Sequence, residues 1–131
     1  MLLKDAYIDV LLQLGRDNST AESIEFCDNR LVRFVAVKGK CEISKQQLLF
    51  DNVVCHRFIP KEQGGTDEYK NLRIIHKDVA QLIYETDVNT IYKLIEKTGC
   101  RESTKLAKLN KWRKNVGQEP INLITLKQSL K

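Results

Sequence analysis

The 131-residue chain reads as an α+β protein in which a strand, loop, strand, helix unit is flanked on both sides by helices. Three observations predict this. Apolar residues recur at helical spacing before residue 40 and again after residue 86, β-prone pieces gather between residues 41 and 75, and a turn-rich loop around Gly64 and Gly65 divides those pieces. A chain of this length supports one core, so residues 1–131 are expected to form a single domain, with N-terminal helices over 1–40, the strand-containing unit over 41–85, C-terminal helices over 86–116 and a tail over 117–131.

In chain order, Leu3, Tyr7, Val10, Leu11 and Leu14 set out an amphipathic helix that Gly15 is placed to stop. Ser19 with Glu22 offers a capping box. Within Ile24 to Val37, Leu31, Phe34 and Val35 share a face and Gly39 ends the run, so a second helix is expected over roughly its last ten residues. Beyond Cys41 the pieces Leu48 to Phe50, Val53 to Cys55 and Leu72 to Ile75 favour extended backbone and predict two strands with a long connection. Lys77 to Tyr84 returns to helical spacing, with Asp78 where a carboxylate complements the helix dipole. Two more helices are expected over Val88 to Lys97 and Ser103 to Lys114, with Gly99 between them. Ile121 to Leu126, after Pro120, reads as a docking strand or a frayed end.

No apolar stretch has the length of a signal peptide or a membrane span, which predicts a cytoplasmic protein with no membrane partner. The net charge of +5 and pI near 9.0 favour a polyanionic partner without specifying one. Cys27, Cys41, Cys55 and Cys100 form no C-x-x-C pair, so their spacing supports neither a zinc ribbon nor a disulfide framework, and they read as small buried residues.

The chemistry-bearing stretch is Cys55-His56-Arg57-Phe58-Ile59-Pro60-Lys61-Glu62-Gln63-Gly64-Gly65-Thr66-Asp67-Glu68-Tyr69-Lys70-Asn71-Leu72. It resembles the signature of HNH (ββα-metal) endonucleases, in which a strand ends in paired histidines, a Gly-Gly loop follows and Asn-Leu opens the second strand. Ser23-Ile24-Glu25, Asp28-Asn29-Arg30, Gly39-Lys40-Cys41 and Trp112-Arg113-Lys114 are similar to the surroundings of this motif in proteins encoded by group II introns, where it accompanies a reverse transcriptase and maturase. The resemblance covers about Ser23 to Val116 and implies a ββα-metal core with additional flanking helices. Met1 suggests a free-standing descendant rather than a fragment of the longer product.

In that family one imidazole takes a proton from water while a divalent metal such as magnesium stabilises the scissile phosphate. Carried over by position, His56 is the first histidine and the surviving metal-ligand candidate, and Asn71 is the loop asparagine. The general base falls on Arg57, whose guanidinium stays protonated. The two helix ligands, four residues apart, fall on Ala80 and Tyr84. Alanine has no donor atom, and a phenol with a pKa near ~10 is a poor ligand. His76 reads as background at the strand end. His56 and Asn71 are therefore remnants of a catalytic site, and the expected protein is a degenerate HNH domain with no metal cofactor, related to mobile elements. Metal-dependent DNA cleavage by unorthodox ligands is the enzyme alternative. The structural readings stand alongside: His56 hydrogen-bonds the loop, and Asn71 satisfies backbone groups at a turn.

Arg57, Lys61, Lys70, Arg73 and Lys77 lie in the part of the motif that meets DNA in HNH nucleases, so the favoured expectation is a module that binds DNA without cutting it. Lys105, Lys108, Lys111, Arg113 and Lys114 extend that contact or form a solvated helix face. A protein-binding adaptor or inhibitor that reuses the nuclease surface is the alternative. Pairing of the motif's cations with Glu62, Asp67 and Glu68, or its absence, distinguishes the two.

Overall fold

A computed structural model describes residues 3–17 and 22–130. The described residues form six α-helices and one two-stranded antiparallel sheet, an α+β arrangement. The helices are α1 (Leu3–Arg16), α2 (Ile24–Ala36), α3 (Lys77–Tyr84), α4 (Val88–Thr98), α5 (Ser103–Asn115) and α6 (Leu123–Ser129); the strands are β1 (Val53–Arg57) and β2 (Leu72–His76).

The α1 helix continues through Gly15, which faces open space, so the glycine weakens the turn without ending it. The α2 helix fills its whole run because Ser23 caps it, accepting a hydrogen bond from Phe26 N at 3.0 Å; the expected Ser19 cap lies outside the described residues. Tyr7 stacks on Phe34 with 5.5 Å between ring centroids, and Asp17 meets Arg30, so α1 and α2 run in opposite directions. Gly39 closes α2 at φ +70°, and a β-carbon there would lie 2.6 Å from the Tyr7 ring.

The segment Leu48 to Phe50 is not a strand. Asn52 Oδ1 accepts from Leu49 N at 2.8 Å and fixes a turn, which overrides the β propensity of the neighbouring side chains. Leu48 is instead fully buried, with Cys41 and Ile43, in the core. β1 then pairs with β2 in the register Val53↔His76 to Arg57↔Leu72. The interstrand connection contains two 3₁₀ turns, Lys61–Gln63 and Tyr69–Asn71. At Gly65 a β-carbon would fall 1.6 Å from the Ile59 carbonyl oxygen, so the loop folds this tightly only with glycine.

His76 opens α3 by accepting from Asp78 N at 3.0 Å through Nδ1, a capping role that accounts for a histidine at this strand end. Leu72, Ile74, Ile75, Val79, Leu82, Ile83, Ile95 and Leu109 are wholly removed from solvent, each contributing about 1.5–3 kcal/mol by burial. Ile121 to Leu126 is neither a strand nor frayed. Asn110 exchanges two hydrogen bonds with the Ile121 backbone, and Asn122 accepts from Ile124 N and Thr125 N to start α6. No helix among the described residues is long and apolar enough to cross a membrane.

Candidate nucleic-acid interface

Side chains alternate across a strand and directly paired residues share a face. The register therefore puts Val54, His56, Arg73 and Ile75 on one side of the sheet, and Cys55, Arg57, Leu72 and Ile74 on the other. His56 and Arg57, adjacent in sequence, enter different surroundings.

On the first side α5 supplies the floor. The His56 ring stacks on Trp112 with 5.7 Å between centroids and 10° between planes, and Tyr84 of α3 meets its edge at 6.4 Å. Phe58 stands edge-on to Trp112 at 6.0 Å. Arg73 lies across these rings, its guanidinium carbon 4.7 Å from the Phe58 centroid and 6.0 Å from that of Trp112. Lys108 approaches Trp112 from the helix, with Nζ 5.8 Å from the ring centroid. Two cations far apart in sequence thus converge on one aromatic platform.

Neither forms an ion pair among the described residues. Arg73 donates to the carbonyls of Lys70 and Leu72, and Lys108 donates to the Glu42 carbonyl at 3.0 Å. Burial lowers the proton affinity of both groups; Arg33 adds to the effect at Arg73, and Lys45 and Arg73 add to it at Lys108. The nearby Glu42 carboxylate is occupied: it accepts from Arg33 and from Ile74 N at 2.6 Å. Like charges held together without a carboxylate bound to either are stabilised by an anion. Beside Arg73, a cavity of about 400 Å³ lined by Phe58, Gly64, Gly65, Lys70 and Asn71 opens toward the interstrand loop.

On the second side Arg57 is fully engaged. Its Nε donates to Asp67 Oδ1 at 2.9 Å, an Nη donates to Glu22, and its guanidinium carbon lies 4.6 Å from the Phe26 centroid. Burial opposes its charge, but the bonds to Asp67 and Glu22 outweigh it and raise the pKa. Asp67 is itself held by the Ser23 hydroxyl at 2.7 Å, which with Arg57 keeps its carboxyl below the usual range. Lys61 comes within 3.8 Å of Glu22 and Lys70 within 3.7 Å of Glu68, both at exposed positions where such pairs contribute little. Lys77 is exposed on α3. Of the C-terminal cations, Arg113 is buried and donates to the carbonyls of Leu82, Glu85 and Glu119, so it faces inward. Lys111 and Lys114 are exposed.

Asn71, only 6% exposed, accepts from Ile59 N at 2.8 Å and donates to the carbonyls of Ile59 and Thr66 at 3.0 and 2.8 Å. It staples the two ends of the loop together. His56 is 8% exposed and its Nε2 has no hydrogen-bond partner among the described residues. Around this imidazole stand a phenol, an indole and Arg73, and among the described residues no three of His, Cys, Asp and Glu are placed to hold a cation. Ala80 is packed against the core and offers no donor. This donor set does not fit a divalent metal centre.

Burial, reinforced by Arg73, pushes the His56 pKa down to about 4. The unfolded chain therefore binds a proton between the ordinary value of 6.5 and about 4 that the folded chain does not, and stability falls as pH drops through that window. At about 1.4 kcal/mol per unit the loss is on the order of 3 kcal/mol. Urea titrations across this range, with His56→Phe as the comparison, check it: the variant is expected to lose most of the slope.

The sequence pointed to His56, Asn71 and Arg73, but not to the platform. Trp112 stood out only as part of a family likeness, and Glu22 as a partner of Arg57 carries no local signal at a separation of 35 residues. Comparison of the chain with protein-family models, with curated proteins and with solved structures finds no match.

Proposed function

We propose that this chain is a degenerate HNH-type (ββα-metal) domain, related to those of group II intron proteins, that binds double-stranded DNA without cutting it. The observation that carries the binding role is the convergence of Arg73 and Lys108 on Trp112 with no carboxylate among the described residues bound to either. A phosphate there neutralises both cations, and release of counterions from the duplex drives association. Exposed Lys45, Lys70 and Lys111 enlarge the positive surface. The strand, loop, strand, helix order, with His56 on β1, Asn71 at the loop's end and Tyr84 facing the imidazole, supports the HNH ancestry. Arg57 at the base position, bound to Asp67 and Glu22, supports the loss of cleavage: it accepts no proton and is turned away from His56.

Gel-shift or anisotropy titrations at low salt are expected to give duplex binding that weakens steeply with added salt and shows little sequence preference. Plasmid incubated with magnesium, manganese, nickel or zinc is expected to remain uncut. Absence of duplex binding at low salt overturns the binding role, and metal-dependent nicking abolished by His56→Ala overturns the loss of cleavage.

A protein-binding role is the second reading, favoured by the neutralised Arg57 and by the exposed apolar side chains of Ile59 and Tyr84 near the loop and α3. Capture of a protein partner that excess duplex DNA fails to displace supports it.

A further inference from the structure

A groove of about 530 Å³ runs between α1 and α2, lined by Leu11, Leu12, Gly15, Leu31, Val32 and Val35, with Arg16 at its end. Its rim exposes large apolar side chains: Leu12 is 49% accessible, Val32 56% and Val35 46%; Ile8, one turn before Leu12 on α1, is 42% accessible. Scattered exposed apolar residues are ordinary, but four on the outer side of one helix hairpin, three of them lining its groove, form a patch. The inner residues of the same hairpin, Val10, Leu14 and Phe34, already belong to the core.

The charges on α1 indicate the occupant. Its outward stripe runs Asp5, Ile8, Asp9, Leu12, Arg16, acidic at the start and basic at the end. Arg16 has no ion pair among the described residues, and Asp9 holds only the Gln13 side-chain amide, at 2.6 Å. When two such helices cross antiparallel at Leu12, Arg16 of one lies within about one residue rise, ~1.5 Å along the axis, of Asp9 of the other, and the twofold repeats the pair. Leu12 then meets Leu12, with Ile8, Val32 and Val35 around it, in the packing of a four-helix bundle. A parallel or head-to-tail contact forms no such reciprocal pairs.

We propose that the α1–α2 hairpin is a self-association surface, and that a second copy of this chain occupies the groove to form a twofold-symmetric dimer. Because α2 packs on the sheet face opposite Trp112, the dimer leaves both cationic platforms uncovered, so the interface does not depend on the DNA-binding reading.

Sedimentation equilibrium of the whole chain across micromolar to millimolar concentrations tests this without nucleic acid. The expected species at high concentration has twice the 15.2 kDa chain mass. Leu12→Glu with Val32→Glu is expected to abolish it. Asp9→Lys and Arg16→Glu each weaken it by roughly tenfold, as two lost surface pairs allow, and the double charge swap restores it. All four positions are on the hairpin's outer side, and unchanged circular dichroism and melting temperature verify that the variants fold. A chain that stays monomeric throughout, or a dimer insensitive to these variants, overturns the proposal. So does a charge swap that fails to rescue.

Discussion

Replacing Arg73 and Lys108 together by alanine is expected to lower duplex affinity by roughly 10- to 100-fold at low salt and to reduce the salt slope by about two, one unit for each phosphate that is no longer neutralised. The weakening should be the same on every sequence tested, because groups that meet only phosphates read no base information. The informative control is Arg57→Ala. Its guanidinium is already bound to Asp67 and Glu22, so its removal should leave duplex affinity within about twofold while lowering stability by about 1–3 kcal/mol, since two carboxylates lose their cation. Anisotropy titrations at several salt concentrations, paired with urea unfolding, separate the two effects. If Arg57→Ala weakens binding as much as the platform pair does, the cationic face has been placed on the wrong side of the sheet.

Asn71→Ala is expected to cost about 2–4 kcal/mol, on the order of 10 °C in melting temperature. Three hydrogen bonds across the loop disappear, and Ile59 N and two carbonyls lose their partner at part-buried positions. Asn71→Asp should be at least as damaging, because a carboxylate replaces the donor facing two carbonyl oxygens. Thermal melting checks both. An Asn71→Ala protein with undiminished stability excludes the staple role and returns the residue to the catalytic reading.

The helical and strand elements were legible where periodicity and capping agreed. Lys77–Tyr84 matches residue for residue, and β1, β2, α4 and α5 are each longer than expected by one or two residues. Sequence pattern and structure part where one polar side chain decides the backbone. Asn52 turns Leu48 to Phe50 away from the sheet, and Asn122 winds the tail into a helix. Neither effect appears in a hydrophobic pattern. The site was legible as a set of residues and not as a place. Strand alternation alone implies that His56 and Arg57 face opposite ways, but which face meets α5 depends on how α5 packs. That packing is set by Trp112 and Arg113, more than 50 residues from His56 along the chain.

Arg113 also bears on how this motif can be cut from, or grafted into, another chain. Its guanidinium replaces the water that would otherwise solvate the last carbonyls of α3 and holds the Glu119 carbonyl as well. A fragment ending with α3 would keep every residue of the signature and lose the indole beneath His56 together with the cap on its own helix. The portable unit is therefore larger than the motif: it takes in α2 with Glu22, which hold Arg57 and Asp67, and runs through α5 to Glu119.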